Sequence, residues 1–170
     1  VMTARIVNGG REVVPTIARF LLRHPAIRVD LRLADRIVRL AEEEVDVALR
    51  VGEVSDESLV AHALASPRWA TVASATYLAR RGTPQAVDDL AGHACLRFAP
   101  PRAKPRAWTF LDAPGGSARP FEPAGPLDVD NGALLVPAAR EDLGIAQVFD
   151  FMVRDDVQRG QLVEVLPELD

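Results

Sequence analysis

Cysteine is nearly missing from this chain: Cys95 is the one example in 170 residues. No disulfide can form within the chain, and such usage fits a reducing cytoplasm. Within ACLRF, Cys95 reads as a small buried strand residue rather than a nucleophile. Positive charge is also short. The net charge is -4 and the pI about 5.4, whereas a duplex-gripping surface carries a positive excess. These residues are therefore not expected to hold nucleic acid without a basic neighbouring domain. There is no run of about 18 apolar residues to span a membrane, and no leader pattern. The opening V-M-T-A-R-I-V begins inside apolar sequence, which suggests a piece of a longer protein.

The usual catalytic signatures are absent as well. No GxGxxG follows a strand, no phosphate-binding loop occurs, and no GxSxG elbow is found. The pairs Gly9-Gly10 and Gly115-Gly116 lack the rest of either glycine fingerprint. His24, His62 and His93 lie far apart, without Cys or carboxylates at metal-ligand spacing. The run Glu42 to Glu44 reads as a solvated helix end, because consecutive helical residues point in different directions. No metal, cofactor or enzymatic activity is expected.

What is present is a soluble globular balance, with 48% apolar and 26% charged residues. Residues 9–53 read as helix, strand, helix, strand. In GGREVVPTIARFLLRHP the apolar residues Val13, Val14, Ile17, Ala18, Leu21 and Leu22 recur at helical spacing. Pro15 belongs near the helix start, and His24-Pro25 ends it, with His24 as a capping cation. IRVDLRL alternates, which marks a half-exposed edge strand. ADRIVRLAEEE is a short helix opened by Asp35. VDVALRV reads as a more central, buried strand ending at Arg50 and Gly52. Units of this kind place ligands at the carboxyl ends of their strands. Asp35, Arg36, Arg50 and Gly52 are at those ends and are expected to line a small-molecule site.

Further on, GEVSDES is a polar loop and LVAHALA a strand candidate holding His62. Residues 70–74 form a strand and 75–81 a helix, capped by Gly82 and stopped by Pro84. CLRF and WTFLD are strands flanking PPRAKPRA, a basic loop expected to face solvent. LDVD is a strand, after which Asn131-Gly132 opens a helix running to about residue 142, with Asn131 as N-cap. GIAQVF, a short helix and QLVEVL complete the chain. Two α/β halves meet near Trp69.

Taken together, DVALRVGE, ASATYLARRGTP and LDVDNGALLVPAA resemble the effector-binding domain of LysR-type transcriptional regulators over nearly the whole chain. The resemblance implies an α/β, two-lobe fold like type II periplasmic binding proteins, with lobes at residues 1–70 and 71–170. It implies a small effector in a cleft between the lobes and no covalent chemistry, and Arg50 at a strand end points to an anionic group on that effector. Carried over to this chain, the family's effector contacts are Thr3, Ala4, Asp35, Arg36, Arg50, Gly52, Asn131 and Gly132. DNA contact would belong to an N-terminal winged helix-turn-helix outside this chain, in a cytoplasmic regulator without a membrane span. A homodimer or tetramer is implied, the first helix of one subunit lying against the Asn131-opened helix of the other. Family members continue past the position of Asp170 with a strand and helix that complete the first lobe. Asn8, Asp142 and Phe149 depart from the family pattern, where an apolar residue, a glycine and a proline are usual. The rival reading is a transporter's solute-binding protein, which shares the fold.

Overall fold

The computed structural model describes residues 1–4, 13–33, 45–51, 58–112 and 116–169. It divides into two compact units, Val1–Ala65 and Ser66–Asp170.

The first unit holds a three-stranded parallel sheet. Strand β1 is Met2–Ala4, helix α1 is Val14–Arg23, β2 is Leu31–Leu33 and β3 is Val47–Leu49. Strand order is β2-β1-β3, and Thr3 pairs with Arg32 on one side and Ala48 on the other. Helix α1 begins with Pro15 in its first turn, where a missing N–H costs nothing, and ends at His24, whose backbone N–H bonds to Phe20 and Leu21. Two expectations need correction. β3 is not central among the described residues: β1 takes the middle, and Val47 is 55% exposed. The alternating run from Ile27 is ladder-paired only from Leu31, because β1 is three residues long and offers no longer partner.

The second unit is built on a mixed five-stranded sheet. Its strands are β4 (Trp69–Ala73), β5 (Cys95–Phe98), β8 (Asp128–Val129), β9 (Ile145–Phe149) and β10 (Val163–Glu164), in the order β10-β4-β9-β5-β8. β4 runs antiparallel to both neighbours, whereas β9, β5 and β8 run parallel. A hairpin of β6 (Trp108–Leu111) and β7 (Ala118–Phe121) forms a separate ribbon. The helices are α2 (Ala75–Arg81), α3 (Leu135–Arg140) and α4 (Asp150–Gln158).

Helix α2 follows its local signals closely. The Ser74 side chain accepts the Tyr77 N–H at 3.0 Å, a standard N-cap. Gly82 closes the helix at φ 86 and ψ 162, a combination open to glycine and strained for other residues. The core gathers Tyr77, Leu78, Leu90, Cys95, Trp108, Phe110 and Ile145. Gly144 lets β9 enter it, since a Cβ there would sit 2.2 Å from the Ala94 carbonyl oxygen.

Two readings of this half are also corrected. LVAHALA forms no strand and is exposed along most of its length, for want of a ladder partner among the described residues. The helix after Asn131 starts as a 3-10 turn, Gly132–Leu134, and becomes α-helical only at Leu135. Its apolar residues are not all surface: Leu135, Val136 and Ala139 are buried in their own unit, while Leu134 is 51% exposed.

Candidate functional site

In the first unit the parallel strands end together. Thr3 and Ala4 close β1, are 1% and 0% exposed, and lie beside Ala48 and Leu49 of β3. Arg50 is the next residue after β3, half-buried. One of its terminal nitrogens donates to Thr3 Oγ1 at 3.1 Å, and the other to the Leu49 carbonyl at 3.3 Å. The structure thus brings Thr3, Ala4 and Arg50 together at the carboxyl end of the sheet. Asp35, Arg36 and Gly52 lie outside the described residues.

The arrangement follows from strand geometry. Parallel pairing in register puts the last residues of neighbouring strands side by side. A hydroxyl on β1 then reaches a guanidinium just past β3. The guanidinium has five N–H donors in a planar fork, suited to a carboxylate or phosphate. The Thr3 hydroxyl and the Leu49 carbonyl help to orient the fork.

In the second unit, the carboxyl ends of β5, β8 and β9 also coincide. Asn131 lies just past β8, and its side chain accepts the Ala133 N–H at 3.0 Å. Asn131 and Gly132 therefore cap their own turn, as the N-cap reading expects. The helix behind them, Leu135–Arg140, spans six residues and brings little dipole to bear on an anion.

A different group at this end was missed in the sequence. Arg106 belongs to the basic loop expected to face solvent, yet it is half-buried, and burial pulls its pKa down to about 10. Its guanidinium carbon lies 3.9 Å from the Trp69 ring centroid. Trp69 in turn stacks on Phe149 at 4.1 Å, and Phe149 on Phe151 at 5.6 Å. Arg106 also donates to Gln147 Oε1 at 3.2 Å. Gln147, 2% exposed, is pinned by the Thr109 backbone, donating to its carbonyl at 3.1 Å and accepting its N–H at 3.3 Å. The aromatic residues are local signals, but their meeting with Arg106 depends on strand pairing and loop course.

An open polar pocket of about 500 Å³ lies at the opposite end of β4, lined by Ser74, Thr76, Arg140, Asp142 and Gln161 among others. Its polar groups serve one another: Ser74 donates to the Asp142 carboxylate, and Arg80 to the Asp142 carbonyl. Arg140 pairs with the buried Asp156 at 3.1 Å. Among the described residues no three His, Cys, Asp or Glu side chains cluster as metal ligands. No described helix is long and apolar enough to cross a membrane.

The sequence matches the family described as LysR substrate binding domain over residues 9–170. It is 36% identical over 156 residues to the HTH-type transcriptional regulator CrgA of Neisseria meningitidis, covering 92% of this chain and 51% of the relative. It is 32% identical to YhjC of Escherichia coli, an uncharacterized HTH-type transcriptional regulator, covering 91% of this chain and 52% of the relative. The fold superimposes on the CrgA regulatory domain with a TM-score of 0.86 at 34% identity, covering 98% of this chain and 80% of that one. Full-length AphB, a virulence activator of Vibrio cholerae, gives 0.86 at 26% identity, with 99% of this chain and 56% of that one covered. The chain spans about half the length of the curated relatives it matches.

Proposed function

The chain belongs to the LysR substrate-binding domain family, and from that membership we propose that it is the ligand-sensing domain of a bacterial transcription regulator, reading a small anionic effector through Arg50. The observation that carries the reading is the Arg50–Thr3 hydrogen bond at the carboxyl end of a parallel sheet. A planar cation held in place at a strand end recognises an anion without reorganising. Residues 1–70 and 71–170 are taken as the two lobes of the sensor.

The domain binds and releases its effector unchanged, as a sensor and not an enzyme. An effector shifts a conformational equilibrium only by its differential affinity for the two states. DNA contact falls to a helix-turn-helix outside these residues, in a cytoplasmic protein. The named relatives are transcriptional regulators, and none of them supports a transporter's solute-binding protein. The domain works as a homodimer. Helix α1 has no buried residue in its own unit and exposes Phe20 at 37% and Leu22 at 85%, an apolar face of the kind a second subunit covers.

A thermal-melt screen against a panel of small organic acids tests the assignment. Stabilising acids should lose at least about tenfold in affinity in Arg50→Ala, equivalent to roughly 1.4 kcal/mol. They should be recovered intact by mass spectrometry. Unchanged affinity in the variant removes Arg50 from the site, and a turnover product overturns the sensor reading.

A further inference from the structure

We propose that Arg106, set on the Trp69 ring, is a carboxylate-binding subsite of the second unit that takes small monocarboxylates with a flat apolar body.

A buried guanidinium is normally matched by a carboxylate, because desolvating an unpaired charge is expensive. Several arginines of this unit are matched in this way, and the half-buried Arg106 is not. Arg97 pairs with Asp128, Arg119 with Asp88, and Arg68 with Glu164. Among the described residues no carboxylate pairs with Arg106. Its side-chain partners are neutral: the amide oxygen of Gln147 and the face of Trp69. One bond to Gln147 engages one of five guanidinium N–H groups and leaves most of the fork to a ligand.

The surroundings are built rather than accidental. Gln147 is buried and fixed by Thr109, so it holds Arg106 in one orientation. Trp69 is fixed by its stack on Phe149. The group lies at the carboxyl ends of β5 and β9, the end of an α/β sheet that receives ligands. One guanidinium neutralises one negative charge, which fits a monocarboxylate. A phosphate close to its dianionic form would keep an unmatched charge beside buried apolar surface. Trp69, Phe149 and Phe151 are only partly buried, and the apolar surface that they leave beside the guanidinium favours a hydrocarbon body over a polar one.

This inference does not rest on the Arg50 reading, and its test separates the two. The chain has two tryptophans. Trp108, 1% exposed in the core, serves as an internal reference for folding. The indole N–H resonances of the intact chain are followed by NMR during titration with benzoate, with benzamide as the neutral isostere and inorganic phosphate as the alternative anion. Benzoate should move the Trp69 signal saturably while Trp108 stays fixed, and benzamide and phosphate should not. Arg106→Gln should weaken the response by at least about tenfold with Trp108 unmoved. Arg106→Lys, which keeps the charge and loses the fork, should also weaken it, and decides the matter if the glutamine variant unfolds. Arg50→Ala should leave the response intact. No saturable shift, an equal response to benzamide or phosphate, an unchanged response in the folded Arg106 variant, or loss of the response in Arg50→Ala would each overturn the proposal.

Discussion

Arg50 and Thr3, 47 residues apart in sequence, are joined by a hydrogen bond of 3.1 Å from a guanidinium nitrogen to a hydroxyl that is almost wholly buried. The bond ties the ends of two adjacent parallel strands and fixes the plane of the cation. Thr3→Val keeps the shape and removes the acceptor. The fold should persist, and affinity for an acid that binds through Arg50 should fall by about 1 kcal/mol, or roughly fivefold. Isothermal titration of wild type and variant checks it, and equal affinities would show that Thr3 does not orient Arg50.

Dimerisation through α1 can be tested at Leu22, which is 85% exposed. Leu22→Glu should shift the chain from dimer to monomer in light scattering at micromolar concentration, without lowering its melting temperature in the monomeric state. A stable interface buries on the order of 1,200–2,000 Å², and one charge at such a patch should weaken it by tens of fold. Leu135, on the Asn131-opened helix that the resemblance places at the interface, is 2% exposed and would report on folding instead. A wild-type monomer at high concentration would remove the dimer.

Tyr77 holds the turn before β5. Its phenol oxygen accepts the Ala94 N–H at 2.9 Å and lies 3.2 Å from His93 Nδ1. Tyr77→Phe keeps the ring in the core but leaves the half-buried Ala94 N–H without this acceptor. Stability should drop by about 1–2 kcal/mol, read as a lower urea midpoint with an unchanged slope. No change would mean that water replaces the phenol.

His93 gives stability a pH dependence. Burial, and then the nearby Arg81 charge, hold its imidazole below the usual 6.5, against the opposing pull of Asp89. With the folded value depressed, the unfolded chain takes up the proton first as pH falls. The contribution is complete above about pH 6.5 and is lost as pH drops from there toward the folded value. The fall in urea midpoint between pH 7.5 and pH 5.5 should therefore be smaller in His93→Gln than in wild type. A larger fall in the variant would show the opposite sign.

Cys95 should behave as an inert core residue. It is 0% exposed, and burial raises its thiol to about 11. The thiolate is the reactive form, so native protein at pH 8 should resist a disulfide reagent and label fully only in denaturant. Rapid native labelling would mean that β5 opens locally.

The sequence by itself determined the elements whose signals are local. Ser74, Tyr77, Gly82 and Pro84 mark the start and stop of α2 within eleven residues, because capping and glycine conformation need no distant partner. Pro15 and His24 frame α1 for the same reason. Arg50 was legible as a strand-end cation, since a buried-looking run followed by Arg and Gly needs only its own order. What only the tertiary structure decided depends on partners far along the chain. Strand order cannot be read from periodicity, so β3 looked central until β1 took that place. LVAHALA carries a strand's composition without a ladder to join among the described residues. Arg106 follows proline and sits among Arg102 and Lys104, and each local rule put it in solvent. Its burial follows from Trp69 and Gln147, brought together by the antiparallel pairing of β4 with β9. Burial, pairing and desolvation are properties of a neighbourhood, and the chain's order alone does not specify who the neighbours are.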